Sequence, residues 1–211
     1  MNFKKYKAVI FDLDGVIVST DECHYEAWKM LSDEEGIYFD REINQRLRGV
    51  SRMESLEIVL ERAQKQYTDE EKLEMATRKN NYYVEKIQTL DQSAILDGAL
   101  EFIDMAKSVG LKVAIGSSSK NTMTILKQVQ CDGIFDAIAD GNDIKNSKPA
   151  PDVFLVAAKK LGVNPKDCMV VEDAYAGVDA AISAGMDVLA VGYAGTYEIA
   201  TYSAKSLGEL I

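Results

Sequence analysis

Short apolar runs alternate with amphipathic segments in the second half of the chain. The runs are LKVAIGS (111–117), FDAIAD (135–140), CMVVED (168–173) and DVLAVG (187–192). Nearly continuous apolar runs are typical of strands that are covered on both faces. Strands that alternate with helices indicate parallel strands joined by right-handed crossovers. The pattern therefore predicts an α/β fold with a doubly wound, Rossmann-like parallel sheet.

A further apolar strand, KAVIF (7–11), precedes a long stretch of different character. Residues 18–92 contain charged amphipathic segments and no strand-like run. Thr68 followed by Asp69, Glu70 and Glu71 is typical of a helix start, with a capping residue and first-turn acids. We therefore expect an α/β core formed by residues 1–17 and 93–211, and a helical insertion formed by residues 18–92.

Polar side chains follow the predicted strands at the points where the strands end. The first strand ends in Asp12 and Asp14, the second in Ser117, and the strand at 168–171 in Glu172 and Asp173. In open parallel sheets, ligands bind beyond the carboxyl ends of the strands. These side chains are therefore the first candidates for a functional site.

Acids gathered at one edge repel one another unless a cation lies between them. A hard cation with oxygen ligands suits such a set, and Mg²⁺ is common where phosphate is also bound. Lys148, in SKPAPD (147–152), adds a positive charge for phosphate oxygens. An Asp carboxylate can act as a nucleophile, and a second one as general acid and base. The chain contains neither a GxGxxG nor a GxxxxGK[ST] motif, so dinucleotide and P-loop functions lack their usual support.

The composition excludes several classes of protein. Of 211 residues, 47% are hydrophobic and 27% charged, which is typical of a globular domain. The net charge of −10 argues against nonspecific nucleic-acid binding and against docking on an anionic membrane. Cys23, Cys131 and Cys168 are scattered, which favours neither a disulfide framework nor a zinc site. The start of the chain does not resemble a signal peptide, so we expect a soluble, cytoplasmic protein.

Together these motifs resemble the four motifs of the haloacid dehalogenase superfamily. They are DLDGV after the first strand, Ser117, Lys148 in SKPAPD, and Glu172 with Asp173. The match spans nearly the whole chain in the right order, and the helical insertion is similar to the superfamily's mobile cap. Within the superfamily, three segments of the insertion resemble the β-phosphoglucomutase subfamily: STDECHYEAWK (19–29), LRGVSRMESL (47–56) and RKNNYYVEKI (78–87).

The resemblance implies roles for residues of the core. Asp12 would be the nucleophile and Asp14 the general acid and base. Mg²⁺ would be bound by the Asp12 carboxylate, the Asp14 backbone carbonyl and Asp173, with Glu172 as a further ligand. Substrate-binding positions implied in the core are Ser117, Ser118, Lys120, Asn121 and Lys148. Of these, Ser117 and Lys148 would hold the phosphoryl group that is transferred.

The resemblance also implies roles for residues of the insertion. Arg52 would hold the distal phosphate of a sugar, for which its bidentate guanidinium is well suited. Further substrate-binding or hinge positions implied by the resemblance are His24, Trp28, Gly49, Val50, Ser51 and Lys79. The implied reaction interconverts β-glucose 1-phosphate and glucose 6-phosphate through an aspartyl-phosphate and β-glucose 1,6-bisphosphate. The expected partners are these phosphosugars, and the expected state is a monomer.

Two other functions stay open at this point. A phosphatase of the same superfamily would use the same core residues and differ in what its cap admits. A noncatalytic phosphosugar-binding protein would need neither Asp12 nor Asp14.

Single residues also have structural interpretations that need no catalysis. Asp12 and Asp14 alone fit a turn at Gly15, and Glu172 with Asp173 fits a helix cap. Lys79 fits a solvated helix face.

Overall fold

Two compact units make up the chain, and the computed structural model describes residues 3–47 and 50–211. One unit comprises Met1–Ser19 and Asp91–Ile211, and the other comprises Thr20–Leu90. The first unit contains a parallel sheet, and the second is helical in the part that the structure describes. The sequence predicts domain boundaries after residues 17 and 92. These boundaries stay a prediction.

The first unit is built on a six-stranded parallel sheet in the order β3-β2-β1-β4-β5-β6. This arrangement confirms the predicted doubly wound α/β fold. The strands are β1 (Ala8–Phe11), β2 (Lys112–Gly116), β3 (Ala137–Ala139), β4 (Cys168–Glu172), β5 (Asp187–Ala190) and β6 (Tyr202–Ser203).

Strand β1 occupies the middle of the sheet, and its four residues are fully buried. Phe11 pairs in register with Ile115 of β2 on one side and with Val171 of β4 on the other. This register brings the carboxyl ends of the three strands to one edge. Asp12 continues the pairing, because its backbone N–H donates to the Val171 carbonyl at 2.9 Å.

Helices cover both faces of the sheet, which explains the nearly continuous apolar strands. Ile10 packs in the same buried cluster as Phe154 and Val178, which belong to two of these helices. Phe11 meets Phe102 edge-on on the other face, with ring centroids 6.1 Å apart. The helices of this unit are α5 (Ala99–Ser108), α6 (Thr122–Gln128), α7 (Asp152–Leu161) and α8 (Tyr175–Ser183).

The end of α5 agrees with the sequence pattern, whereas one short strand was not predicted from it. Gly110 adopts φ +84° just beyond the end of α5, as expected for a glycine that terminates a helix. Strand β6 was not predicted. It has only two residues, Tyr202 and Ser203, which is too short for a periodic signal, and its pairing with β5 defines it.

The helical unit contains α1 (Asp21–Glu34), α2 (Arg41–Gln45), α3 (Arg52–Leu60) and α4 (Asp69–Ile87). Thr68 caps α4 as predicted, because its side chain accepts from the Glu71 N–H and the Glu71 side chain accepts from the Thr68 N–H. Helices α2 and α3 are short, with five and nine residues. Trp28, Leu31, Leu56 and Met75 belong to a separate buried cluster within this unit.

Residues 3–47 and 50–211 contain no helix that combines the length and apolar character needed to cross a bilayer.

Candidate active site

The turn after β1 presents two acids at the carboxyl edge of the sheet. Gly15 adopts φ +82°, and its N–H donates to the Val18 carbonyl at 2.8 Å. A glycine accepts this left-handed conformation without the strain that a side chain would add. Asp12 is buried with 7% exposure, and Asp14 is half-buried. Asp12 and Asp14, which are two residues apart in the sequence, therefore have different environments.

Lys148 bridges two of the buried carboxylates. Its Nζ lies 2.5 Å from Asp12 Oδ1 and 2.7 Å from Glu172 Oε2. The exposed fractions of the three side chains are 10% for Lys148, 10% for Asp12 and 1% for Glu172. Charged hydrogen bonds in such a buried place are strong, and loss of one partner leaves an uncompensated charge.

The same geometry shifts the protonation of Lys148 and Glu172. Burial by itself lowers the pKa of Lys148, but Asp12 and Glu172 raise this pKa above its usual value, so the amine stays charged. Burial, with the charge of Asp12 beside it, raises the pKa of Glu172 to about 7, although Lys148 opposes the shift. In a site without a metal ion, Glu172 therefore holds its proton far more readily than an ordinary glutamate.

Asp12, Glu172 and Asp173 form a group with the chemistry of a divalent-cation site. One carboxylate oxygen from each lies within 4.8 Å of the others. Two of the three acids, Asp12 and Glu172, also contact the Lys148 ammonium. Hard carboxylate oxygens are the ligands that Mg²⁺ prefers. The residues that are present therefore fit the predicted metal.

Two glycines allow the backbone to approach these acids closely. A Cβ at Gly15 would lie 2.1 Å from Asp173 Oδ2, and one at Gly177 would lie 2.0 Å from Glu172 Cδ. Any side chain at either position would displace a carboxylate. Gly15 is predicted from the sequence as a turn residue, and Gly177 is not among the predicted site residues. A glycine inside the first turns of the α8 pattern was the available signal for a close approach.

The loop after β2 carries the predicted phosphate-binding hydroxyls. Ser117 is 2% exposed, and its Oγ accepts from the Ser119 N–H at 3.1 Å. Ser118 Oγ accepts from the Lys148 N–H at 3.5 Å, which brings this loop to the lysine loop. Asn121 begins α6 as its N-terminal cap residue, and Lys120 is exposed. The structure thus brings Ser118 to the backbone of Lys148. The roles of Ser117 and Ser118 toward a ligand stay predictions.

Four residues of the helical unit form a second polar and aromatic group. Lys79 is 3% exposed, and its Nζ lies 2.9 Å from His24 Nδ1. The same Nζ lies 4.9 Å from the centroid of the Trp28 ring and 4.8 Å from that of Tyr83. The His24 and Tyr83 rings are stacked at 4.1 Å. Lys79 therefore does not lie on a solvated helix face. Tyr83 belongs to the same group of side chains, although it is not among the site residues predicted from the sequence.

Burial and two nearby positive charges set the protonation of His24. Desolvation, then the positive charges of Lys79 and Arg52, lower the pKa of His24 well below its usual value. His24 is therefore neutral at pH 7. Because the Lys79 ammonium can only donate, we infer that Nδ1 of His24 accepts and that its other ring nitrogen carries the proton.

The remaining predicted residues of this unit surround the start of α3. Arg52 is the first residue of α3 and is exposed, and Val50 is 39% exposed. Ser51 caps the helix, since its Oγ accepts from the Glu54 N–H at 3.3 Å and Glu54 accepts from the Ser51 N–H at 2.9 Å. This cap accounts for Ser51 without any ligand. Gly49 lies outside the described residues.

Comparison with known proteins identifies relatives of this chain. Residues 6–185 match the family model for haloacid dehalogenase-like hydrolases. A β-phosphoglucomutase of Bacillus subtilis is 44% identical over 88% of this chain and 83% of its own length. A phosphorylated carbohydrates phosphatase of Thermotoga maritima is 30% identical over 86% of this chain and 82% of its own length. A crystal structure of β-phosphoglucomutase from Clostridium difficile covers 98% of this chain and 93% of its own, with a TM-score of 0.88 and 41% identity.

The close approach at Gly15 leads to a test of the acid group. We expect Gly15→Ala to weaken Mg²⁺ binding by at least about tenfold, because the new methyl group would displace the Asp173 carboxylate. The measurement is isothermal titration with MgCl₂. Gly110→Ala is the matched control, since Gly110 has nearly the same φ of +84° and open space around its Cβ position. Equal Mg²⁺ affinity in Gly15→Ala and wild type would contradict this assignment of Asp173.

The raised pKa of Glu172 leads to a test of pH dependence without metal. The native state keeps this proton up to about pH 7, whereas the unfolded chain loses it near 4.5. The stability that the bound proton contributes is therefore present below pH 4.5 and is lost as the pH rises through 7. We expect Glu172→Gln to gain stability relative to wild type over this range, by up to about 3 kcal/mol.

Urea denaturation in EDTA at several pH values measures this difference. Glu198→Gln, at an exposed position of the same unit, is the control and should follow the wild type. A difference between Glu172→Gln and wild type that does not change between pH 4.5 and 8 would refute the raised pKa.

Proposed function

The chain belongs to the haloacid dehalogenase-like hydrolase family, and on that premise we propose that it is a phosphosugar mutase. Its reaction would interconvert β-D-glucose 1-phosphate and D-glucose 6-phosphate through β-glucose 1,6-bisphosphate. The enzyme would be a Mg²⁺-dependent phosphotransferase that carries its phosphoryl group on Asp12. The monomeric state and cytoplasmic location expected from the sequence belong to the same proposal.

One observation carries the catalytic part of this proposal. The Lys148 ammonium lies between the carboxylates of Asp12 and Glu172, with Asp173 within the same cluster. A carboxylate held at the end of a buried strand, next to a fixed cation and a cation site, is equipped to attack phosphorus. The positive charges offset the negative charge that builds up on the phosphoryl oxygens.

The proposed steps use the residues at the carboxyl edge of the sheet. Phosphorylated Asp12 transfers its group to the C6 hydroxyl of β-glucose 1-phosphate, and Asp14 accepts the proton of that hydroxyl. Return transfer from the C1 position to Asp12 releases glucose 6-phosphate, and Asp14 gives the proton back to the leaving sugar oxygen. Asp12 acts as nucleophile and leaving group in turn, so the phospho-enzyme is regenerated.

The other core residues support the transferred group. Lys148 and the hydroxyl of Ser117 would bind its oxygens, with Ser118, Lys120 and Asn121 completing the loop. Asp12, the Asp14 carbonyl, Glu172 and Asp173 would hold Mg²⁺, which when bound supplies charge neutralisation for the phosphoryl group. Glu172 must then release its proton, since a metal ligand is needed in the charged form.

The helical unit would supply recognition of the sugar and its second phosphate. Arg52 is exposed at the start of α3, where a guanidinium can bind phosphate with two parallel hydrogen bonds. Lys79 is already desolvated beside neutral His24 and between two aromatic rings. We propose that Arg52 binds the distal phosphate and that His24, Trp28 and Lys79, with the loop at Gly49, Val50 and Ser51, shape the sugar site.

A phosphatase acting on a phosphorylated sugar is the second candidate function. The relative from Thermotoga maritima, which is named as a phosphorylated carbohydrates phosphatase, supports it. The core residues serve hydrolysis equally well, because water can replace the sugar hydroxyl as acceptor. The higher identity to the Bacillus subtilis mutase favours the mutase.

A product assay separates the two functions. The enzyme is given β-glucose 1-phosphate, MgCl₂ and a catalytic amount of β-glucose 1,6-bisphosphate, and glucose 6-phosphate and free phosphate are both measured. We expect glucose 6-phosphate to predominate, and turnover to fall at least about 10³-fold in Asp12→Asn, because the amide is no nucleophile. Predominant free phosphate would favour the phosphatase, and unchanged turnover in Asp12→Asn would refute both enzymes.

The proposed phosphate contact of Arg52 gives a second test. Arg52→Ala should lower kcat/KM for β-glucose 1-phosphate by about 10²-fold, since a charged hydrogen-bonding pair is lost. Arg62→Ala removes another exposed arginine of the same unit and should change kcat/KM less than twofold. The proposed role of Arg52 fails if both variants behave alike in steady-state kinetics.

A further inference from the structure

An aromatic ring lies against the ammonium of Lys148. The Lys148 Nζ lies 4.8 Å from the centroid of the Phe154 ring. Phe154 is fully buried in the first turn of α7, and the Lys148 side chain is 10% exposed. A cation within about 6 Å of a ring centroid is attracted by the negative charge of the ring face, more strongly where water is excluded.

The space for this ring depends on a glycine in the neighbouring strand. A Cβ at Gly116, the last residue of β2, would lie 2.8 Å from Phe154 Cδ1 and 3.0 Å from its Cε1. It would also lie 3.0 Å from a methyl group of Ile10. The ring is therefore held in a slot formed by the central strands, and Gly116 leaves that slot open.

The Phe154 ring restricts the position of the Lys148 ammonium, which the two carboxylates alone do not. Asp12 and Glu172 attract the ammonium from two directions, and either carboxylate can draw it away from the other. A flexible four-carbon stem does not resist such a displacement. A rigid ring face on a further side of the nitrogen restricts it and costs no proton donor or acceptor.

We propose that Phe154 is a positioning residue, which holds the Lys148 ammonium between Asp12 and Glu172 by a cation–π contact in a slot that requires Gly116. This inference rests on the proposed function only for its consequence, namely that the fixed ammonium meets the phosphoryl group. The contact itself exists independently of the substrate.

The first experiment tests the contact without any catalysis. In protein labelled with ¹⁵N-lysine, the ammonium resonances of Lys148 are assigned by their absence in Lys148→Met. Protons above a ring face are shielded by the ring current, so we expect them to lie upfield of ordinary lysine ammonium protons. The upfield shift should vanish in Phe154→Leu, which keeps an apolar side chain of similar bulk. An unchanged ammonium shift in folded Phe154→Leu would refute the contact.

The second experiment tests the consequence with rings of nearly equal shape. Phe154 is replaced, in the full chain, by phenylalanines that carry one, two and three fluorine atoms, which weaken the negative ring face in steps. We expect kcat/KM for β-glucose 1-phosphate to fall stepwise, reaching about fivefold to thirtyfold for trifluorophenylalanine. A merely structural Phe154 would give no such graded dependence.

Phe102 provides the matched control for the fluorine series. It is fully buried in the same unit, and its ring packs edge-on against Phe3 and Phe11. Trifluorophenylalanine at position 102 should leave kcat/KM within twofold of wild type. Equal losses at positions 102 and 154 would overturn the positioning role.

The two experiments distinguish failure of this inference from failure of the proposed function. If the enzyme turns over another phosphosugar, the ammonium shift stays and the fluorine series is repeated with that substrate. If the shift is absent, the inference falls even where the mutase activity is confirmed. Gly116→Ala tests the slot, since it should also remove the ammonium shift. A retained shift in folded Gly116→Ala would overturn the part of the inference that assigns the slot to Gly116.

Discussion

The buried ammonium of Lys148 is the interaction on which the carboxyl edge of the sheet depends. Asp12 and Glu172 are almost completely removed from water, and neither charge is tolerable there without a partner within hydrogen-bonding distance. The ammonium contacts both acids, and Asp173 lies in the same carboxylate cluster. The same contact ties the loop before α7 to the carboxyl ends of β1 and β4.

The precision of this site depends on close backbone approach as much as on charge. Gly15 and Gly177 bring the backbone against Asp173 and Glu172, at distances where a Cβ would overlap the carboxylates. Gly116 does the same for the ring of Phe154. At each glycine the backbone packs closely against an acid or a ring and limits its movement, and fixed groups are what electrostatic stabilisation of a transition state requires.

Local cations explain how a chain with a net charge of −10 can be suited to a phosphosugar. Lys148 in the core and Lys79 in the helical unit are both desolvated, where a charge acts more strongly than on the surface. The acidic surface repels anions at long range but is screened beyond about 10 Å in salt. Under the proposed function, residues of the helical unit would decide between sugar and water as acceptor, since both reactions would use the same core residues.

The sequence alone determined the strand and helix order, the helix start at Thr68, the acids and serine at the strand ends, and the lysine before α7, because periodicity and motifs are local. It did not determine strand β6, which is defined by its pairing with β5, or the bounds of α2 and α3. Only the tertiary structure decided that Lys79 is buried against His24 and that the ring of Phe154 lies against Lys148. These are side-chain contacts between different elements or loops. Their energy exists only once the elements have packed, and no local pattern records it.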